Sequence, residues 1–502
     1  MAGTLLELVS GDTVATSKVP DTMPASIFQQ PAVMSEIRRI HMVPIGGTAM
    51  VPLAALLADE GHRITGSDRT LYPPMSTLLE KLGIPVAQGF AAEHVPADAD
   101  TVIVGNAALR DNVEAAEAVR RGLDVLSLPQ AVRRHLLPGK TSVVITGTHG
   151  KTTTSALTSW LLHDAGRDPG FLVGGEMKNF GRGYRRGKGP HFVLEGDEYN
   201  AAFFDRGPKF LHYEPRHLFV GNIEFDHADL YADLDAVVDA FRKVVRLVPA
   251  EGVVAVNADD PRVAALAKEA SATVVRVSLE NPGADFSARD VRFGEAGAEF
   301  TLLEAGLPTA RFSSTLLGHH NVRNALGAIA LVRGLGLSVS EVERALPRFA
   351  GVRRRMDVRG EKNGILVVDD FAHHPTAVRG TLEAARSRFP GRRIWALFEP
   401  RSNTAGRKMF EDEYAEAFDA ADALVVAPVF HADRLAPEHR IDRESLVRRF
   451  SNGGGRARPA FAPASIDDIP AILRREACAG DVLLLMSSGA FGGLPERLLG
   501  EL

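Results

Sequence analysis

Short apolar runs of strand type recur along this chain, and each ends in a cluster of glycines, acids or hydroxyl residues. The first, Ile40 to Ile45, runs into Gly46 and Gly47, then into an apolar helical pattern that reaches Ala58 and stops at Gly61. The next, beginning at Arg63, ends on Asp68. Further strands are predicted at Pro85-Val-Ala, Thr101–Val104, which runs into Gly105-Asn106, and Asp124-Val-Leu. Continuous apolar strands separated by helical periodicity predict a buried parallel sheet with helices on its faces.

The pattern then restarts. Ser142–Thr146 leads through Gly147-Thr148-His149-Gly150 into a helix predicted from Lys151 to about Ala165. Strands follow at Phe192–Glu195, Leu218–Val220 and Gly252–Asn257, then strand-rich sequence to about Phe312 and an Ala/Leu-rich helix opened by His319-His320-Asn321-Val-Arg-Asn324. After a hinge at Gly351–Asp357 the pattern appears a third time, at Ile365–Asp370, Arg393–Pro400, Ala423–Pro428 and Asp481–Met486. The expectation is an α/β protein of three domains: a Rossmann-like domain over 39–138, a central P-loop-type domain over 139–350 and a second Rossmann-like domain over 351–502. Residues 1–38 form a leader of scattered Pro, Ser, Thr and Gln, flexible or docked on the surface.

Size and composition narrow the function. A chain of 502 residues is too long for one core, and 45% hydrophobic with 24% charged residues is ordinary for a globular protein. A net charge of −5 argues against a nucleic-acid partner. Cys478 is the only cysteine, which excludes intrachain disulfides and thiolate metal clusters. No apolar run has the length of a membrane span and no signal-peptide pattern opens the chain, so a cytoplasmic protein without membrane insertion is expected.

The chemistry concentrates where strands end. Glycines 147 and 150 let the backbone turn its N–H groups inward; the helix start, the Lys151 cation and the Thr152 hydroxyl then suit a nucleoside triphosphate and Mg²⁺. The spacing departs from the full Walker form, because Ile145 stands where the first glycine would be. Glu195, Asp197 and Glu198 crowd one strand end, and Asp226-His227 another; such crowding calls for a cation or is a solvated acidic turn. Asn321 and Asn324 share a helix face, where their amides either read a nucleoside or cap the helix. Arg353, Arg354 and Arg355 form a solvated face or reach a phosphate across a cleft. The glycines of the first domain fit either a dinucleotide or a nucleotide sugar, with Pro44 and Ala49 interrupting the full fingerprint.

In order, Gly147-Thr-His-Gly-Lys-Thr, Glu195-Gly-Asp-Glu, Asn222-Ile-Glu-Phe-Asp-His, His320-Asn-Val-Arg-Asn, the three arginines and Asp369-Asp-Phe-Ala-His-His-Pro-Thr resemble the Mur ligases, ATP-dependent amide-forming enzymes of bacterial wall synthesis. The resemblance runs from about residue 39 to the C-terminus. Ser67-Asp68, Tyr72–Thr77, Ala202–Asp205 and Ser488–Gly493 are more similar to the branch that joins L-Ala-γ-D-Glu-meso-diaminopimelate to UDP-N-acetylmuramate in wall recycling than to the branch that adds L-alanine. The resemblance implies ATP and Mg²⁺ as cofactors and a monomer or weak homodimer. It implies catalytic roles for Lys151, Glu195, His227 and His373. ATP would be held by Gly147, Thr148, His149, Gly150, Lys151, Thr152, Thr153, Asn321, Asn324, Arg355 and Asp370, and the metal by Thr152, Glu195 and His227. Gly46, Gly47, Asp68 and Asn106 would hold the UDP-sugar. Arg242, with Lys243 beside it, stands where sister ligases carry a carbamylated lysine, so no carbamylation is expected. Phe371 and His374 flank the expected amine site.

The other readings explain less. A plain kinase or NTPase leaves two domains unused, an NAD-dependent oxidoreductase leaves the phosphate loop unused, and a nucleotide-sugar sensor has no need of Glu195 with His227.

Overall fold

The computed structural model describes residues 37–402, 404–453 and 457–502. Most of the expected leader therefore lies outside the described residues. Three sheets carry the architecture, in two compact units. The first unit runs to Ala131 and takes in Ala201–Arg206; the second holds Val132–Asn200 and Gly207–Leu502.

In the first unit β1 (Arg39–Val43), β2 (Arg63–Asp68), β3 (Val86–Gln88), β4 (Thr101–Val104) and β5 (Asp124–Ser127) form a parallel sheet in the order β3-β2-β1-β4-β5. The chain leaves β1 toward β2 and returns on its other side as β4, so the strand order reverses between β1 and β4. Ligands of such sheets sit outside the carboxyl ends at that reversal. Gly46 and Gly47 follow β1 there, and Gly105-Asn106 follow β4. The helix Met50–Asp59 is buried along most of its length, as its apolar run requires, and Ala49 caps it without a side-chain bond.

The central sheet of the second unit comprises β6 (Thr141–Thr146), β7 (Gly170–Met177), β8 (Arg182–Arg185), β9 (His191–Gly196), β10 (His217–Val220), β11 (Val253–Asn257), β12 (Thr273–Ser278), β13 (Phe286–Gly294), β14 (Gly297–Glu304) and β15 (Leu307–Ser314). Its order is β15-β14-β13-β12-β11-β10-β6-β9-β7-β8. The decisive neighbours are those of β6: Thr146 stands level with Gly196 of β9 on one side and Val220 of β10 on the other. Parallel register thus delivers the phosphate loop, the Asp197-Glu198 turn and the Asn222–His227 segment to one edge. Val143, Val144 and Ile145 are fully buried, as a strand covered on both faces requires. The helix Lys151–Asp164 packs with the helix His319–Gly334 in the same core. Its interior hydroxyls turn back on their own helix, Thr158 donating to the Thr154 carbonyl (2.8 Å) and Ser159 to that of Ser155 (2.8 Å).

The third sheet contains β16 (Asp357–Lys362), β17 (Ile365–Asp370), β18 (Ile394–Phe398), β19 (Ala423–Val426), β20 (Ala460–Phe461) and β21 (Val482–Met486), ordered β16-β17-β21-β18-β19-β20. Only β16 runs antiparallel. Asp370, Met486 and Phe398 end level with one another, so three polar turns emerge side by side.

Candidate active site

The phosphate loop takes the conformation its glycines permit. Gly147 (φ +140°) and Gly150 (φ +80°) both lie where a side chain is strained, and a Cβ on Gly150 would meet Asn324 Oδ1 at 2.4 Å. Asn222 brackets the loop, accepting from the His149 N–H (2.8 Å) and donating to the His149 carbonyl (3.1 Å). The Thr148 N–H donates to the Asn222 carbonyl (3.0 Å). Thr153 lies buried at the helix start.

Lys151 Nζ donates to the Gly147 and Thr148 carbonyls (2.8 and 3.2 Å) and to both oxygens of Glu198 (3.1 and 2.8 Å). Burial alone would pull this ammonium down, but Glu198 and Asp197 outweigh it and hold it above the usual lysine range. Glu198, quoted in the sequence only as part of an acidic run, is therefore the direct partner of the loop lysine. Thr152 and Glu195 do meet, at 2.9 Å, and the second Glu195 oxygen accepts from the Gly174 N–H (2.7 Å).

His227 instead faces Glu198, at 3.3 Å. Burial opposes its proton, yet Glu198 and Asp226 raise it above the ordinary histidine value. Asp197, paired with Lys209 at 2.6 Å, is held well below the usual carboxylate range against the cost of its burial. Asp197, Glu198 and His227 each offer one ligand atom, and these atoms lie within 4.8 Å of one another. An oxygen-rich set of that kind fits a hard divalent cation such as Mg²⁺. It shares only His227 with the expected Thr152, Glu195 and His227; the other two form the adjoining pair.

A second cluster sits on the same edge. Glu224 Oε2 lies 3.3 Å from His149 Nε2 and 3.3 Å from His374 Nδ1, and accepts from Thr376 Oγ1 (2.7 Å). The two rings are 4.7 Å apart. Against the cost of burial, His149 and Thr376 bring the Glu224 carboxyl down to about 2; burial lowers His374 to about 4.

From the third sheet the arginine triplet divides its work. Arg353 is half exposed beside Glu176 and Asp357. Arg354 pairs with Asp369 (3.3 Å) and donates to the carbonyls of Ser487 and Gly489. Arg355 alone reaches the phosphate loop, Nη2 to Thr152 Oγ1 at 3.3 Å, and lies over the Phe371 ring at 4.8 Å. Asp370 is committed to the hinge: it accepts from the Met356 N–H (2.7 Å), the Ala372 N–H (2.8 Å) and Thr381 Oγ1 (3.3 Å). Burial raises its carboxyl, with Arg355 opposing. His373 is half-buried, its Nδ1 2.9 Å from the Phe371 carbonyl, and desolvation of the ring lowers its pKa. Thr404, which no motif marked, bonds Asp226 and the His227 N–H from the third sheet.

Asn321 and Asn324 stand together in the first turns of the helix His319–Gly334. Asn321 donates to the Leu317 carbonyl (2.8 Å) at the helix start; Asn324 donates to Asn321 (3.0 Å) while touching the phosphate loop at Gly150.

In the first unit the Gly46 N–H donates to Asp68 Oδ2 (2.8 Å), and Asn106 is exposed. Beside them opens a cavity of about 470 Å³ lined by Pro44, Asp68, Arg69, Phe90, Leu109 and Asn112. Beneath it Glu114 is fully buried, accepting from Ser67, the Ala91 N–H (3.1 Å) and both His41 and His94 (3.1 Å each). Its sequence signal, an acid two places after the cap Asn112, is that of any helix start.

Three family models match. The one described as "Mur ligase family, catalytic domain" covers residues 39–138, "Mur ligase middle domain" 145–332, and "Mur ligase, glutamate ligase domain" 354–489. The chain is 37% identical to the Escherichia coli UDP-N-acetylmuramate--L-alanyl-gamma-D-glutamyl-meso-2,6-diaminoheptandioate ligase, over 92% of this chain and 97% of the relative. It is 36% identical to the UDP-N-acetylmuramate--L-alanine ligase of Desulfitobacterium hafniense, over 90% and 97%. A solved murein peptide ligase from Psychrobacter arcticus superposes with a TM-score of 0.71 at 34% identity, covering 92% of this chain and 98% of the other.

Proposed function

Because the chain belongs to the Mur ligase family, an ATP-dependent ligase family whose members form ADP, we propose that it joins L-Ala-γ-D-Glu-meso-diaminopimelate to UDP-N-acetylmuramate. The observation that carries the tripeptide is the chain-long likeness to a relative named for it. The comparable likeness to an L-alanine ligase keeps that amine as the second reading.

The chemistry asks for charge control more than for a nucleophile. An oxygen of the muramate lactyl carboxylate attacks the γ-phosphorus of ATP; the bond to the β–γ bridging oxygen breaks and ADP leaves with its electrons. The peptide amine then attacks the acyl carbon, loses a proton, and inorganic phosphate departs. Lys151 is suited to the first step, with the γ-phosphate taking over the place of Glu198 as its partner. Asp197, Glu198 and His227, with Thr152 and Glu195 adjoining, would hold Mg²⁺, which when bound neutralises phosphate oxygens. Arg355 adds a guanidinium beside Thr152, and Asn324 lies against the loop where the nucleoside would follow. His373, whose protonated form desolvation disfavours, is suited to orienting the incoming amine. Gly46, Gly47, Asp68 and Asn106 line the edge suited to the UDP-sugar.

The test is ADP release in the presence of ATP, Mg²⁺ and UDP-N-acetylmuramate, with tripeptide or with L-alanine as amine. Release dependent on tripeptide is expected. A preference for L-alanine overturns the choice of amine, and no amine-dependent release overturns the reading altogether.

A further inference from the structure

Glu224 and His374 have no role in the phosphate chemistry above, yet they converge with the side chain of His149 from the phosphate loop. The loop after β6 supplies one, the segment after β10 another, and the start of the helix Pro375–Arg388 the third. Each of the first two is held from behind. Asn222 fixes the His149 backbone from both sides, and Thr148 Oγ1 accepts from the Glu224 N–H (2.9 Å). His374 is 5% exposed, and neither of its ring nitrogens makes a hydrogen bond, although Nδ1 lies 3.3 Å from Glu224 Oε2. A buried imidazole without a partner at either nitrogen loses stabilisation that a ligand could restore.

The spacing, which without an ion leaves His149 Nε2 hydrogen-bonded to Glu224 Oε2, also suits a small tetrahedral ion. Two of the three donor–donor separations are 3.3 Å. A tetrahedral ion with bonds of about 2.0–2.1 Å sets its ligands about 3.3–3.4 Å apart. Two imidazoles and one carboxylate suit a borderline transition ion over Mg²⁺, which demands oxygen.

We infer that His149, Glu224 and His374 form a site for a divalent transition ion of the Zn²⁺ class, separate from the Asp197, Glu198 and His227 group, that ties the phosphate loop to the first helix of the third domain. Thr376, donating to the same Glu224 oxygen, orients that carboxylate.

The full chain is titrated with Zn²⁺ against a chromophoric chelator, in excess Mg²⁺ so that the oxygen-rich group is filled. One Zn²⁺ per chain is expected, with affinity falling at least about tenfold in His374→Ala and in Glu224→Gln and unchanged in His227→Ala. Thermal melts check that each variant is folded; if one is not, the other carries the test. Absence of stoichiometric Zn²⁺, binding that survives in a folded His374→Ala or Glu224→Gln, or binding lost in His227→Ala overturns the assignment.

Discussion

The second unit presents two sheet edges where parallel strands end in acids, and the carboxyls of the two edges are shifted in opposite directions. At the end of β6, β9 and β10 the carboxyls of Asp197, Glu224 and Asp226 are driven below their ordinary values, because lysines, histidines and hydroxyls more than repay their burial. At the end of β17 the carboxyls of Asp369 and Asp370 are driven up, because burial outweighs the arginines beside them. The first edge keeps mobile charge poised for a ligand. The second spends its acids on the backbone: Asp370 holds the N–H groups of Met356 and Ala372, and Asp369 holds Arg354 and Arg359. Parallel strands ending in acids thus give one edge suited to chemistry and another that fixes the hinge from which Arg355 reaches the loop. The acid's partner, more than the acid itself, separates the two roles.

The largest expected effect lies on the first edge. Lys151→Ala removes the cation from among Glu198, Asp197 and the loop carbonyls. Amine-dependent ADP release should fall by about three orders of magnitude, the scale of losing one preorganised charge at a developing oxyanion, while circular dichroism shows a folded chain. Substantial retained turnover means the loop does not hold the transferring phosphate, and the contrast between the edges fails. On the second edge stability should answer instead. Asp370→Ala leaves the buried Ala372 N–H and the part-buried Met356 N–H without an acceptor and should cost about 3 kcal/mol in denaturant unfolding. Asp370→Asn, which keeps one oxygen, should cost less. A stable Asp370→Ala variant that loses only ATP affinity would move Asp370 to the ligand.

The layout of both edges was legible in the sequence, because strand, turn and helix each leave a periodic signature that parallel register then aligns. Strand Thr101–Val104 falls where its apolar run predicts it, and Ala423–Val426 fills the first four positions of the run Ala423–Pro428. Pairings across the chain were not legible. Glu195 and Glu198 stand three apart in one acidic run, yet one bonds Thr152 and the other Lys151 with His227; which way each points depends on the neighbouring strand. The three arginines look equivalent in sequence, and only the hinge, with Arg354 and Met356 at positive φ, separates their directions. Thr404 carried no signal and Glu114 only that of any helix start, since a buried hydroxyl and a buried acid acquire meaning only from partners 178 and 73 residues away.

Acid sharpens the comparison with the smallest effect per group. A carboxyl whose folded value is depressed stabilises the fold above its unfolded value and loses that contribution as pH falls toward the folded one. For Glu224 that window runs from the ordinary 4.5 to about 2, on the order of 3 kcal/mol at its limit. His320, lowered to about 4 by burial, weakens the central domain sooner, because the unfolded chain takes up a proton near 6.5 that the folded chain refuses until about 4. Asp369 and Asp370 act in the opposite sense: their raised values mean that protonation relieves a buried charge, so the second edge gains as pH falls. Amide exchange followed from pH 6.5 downward should therefore show protection lost first at the ends of β6, β9 and β10, with β17 and β21 persisting. Simultaneous loss would mean that the whole unit opens as one body, and an earlier loss at β17 would reverse the assignment of the two edges.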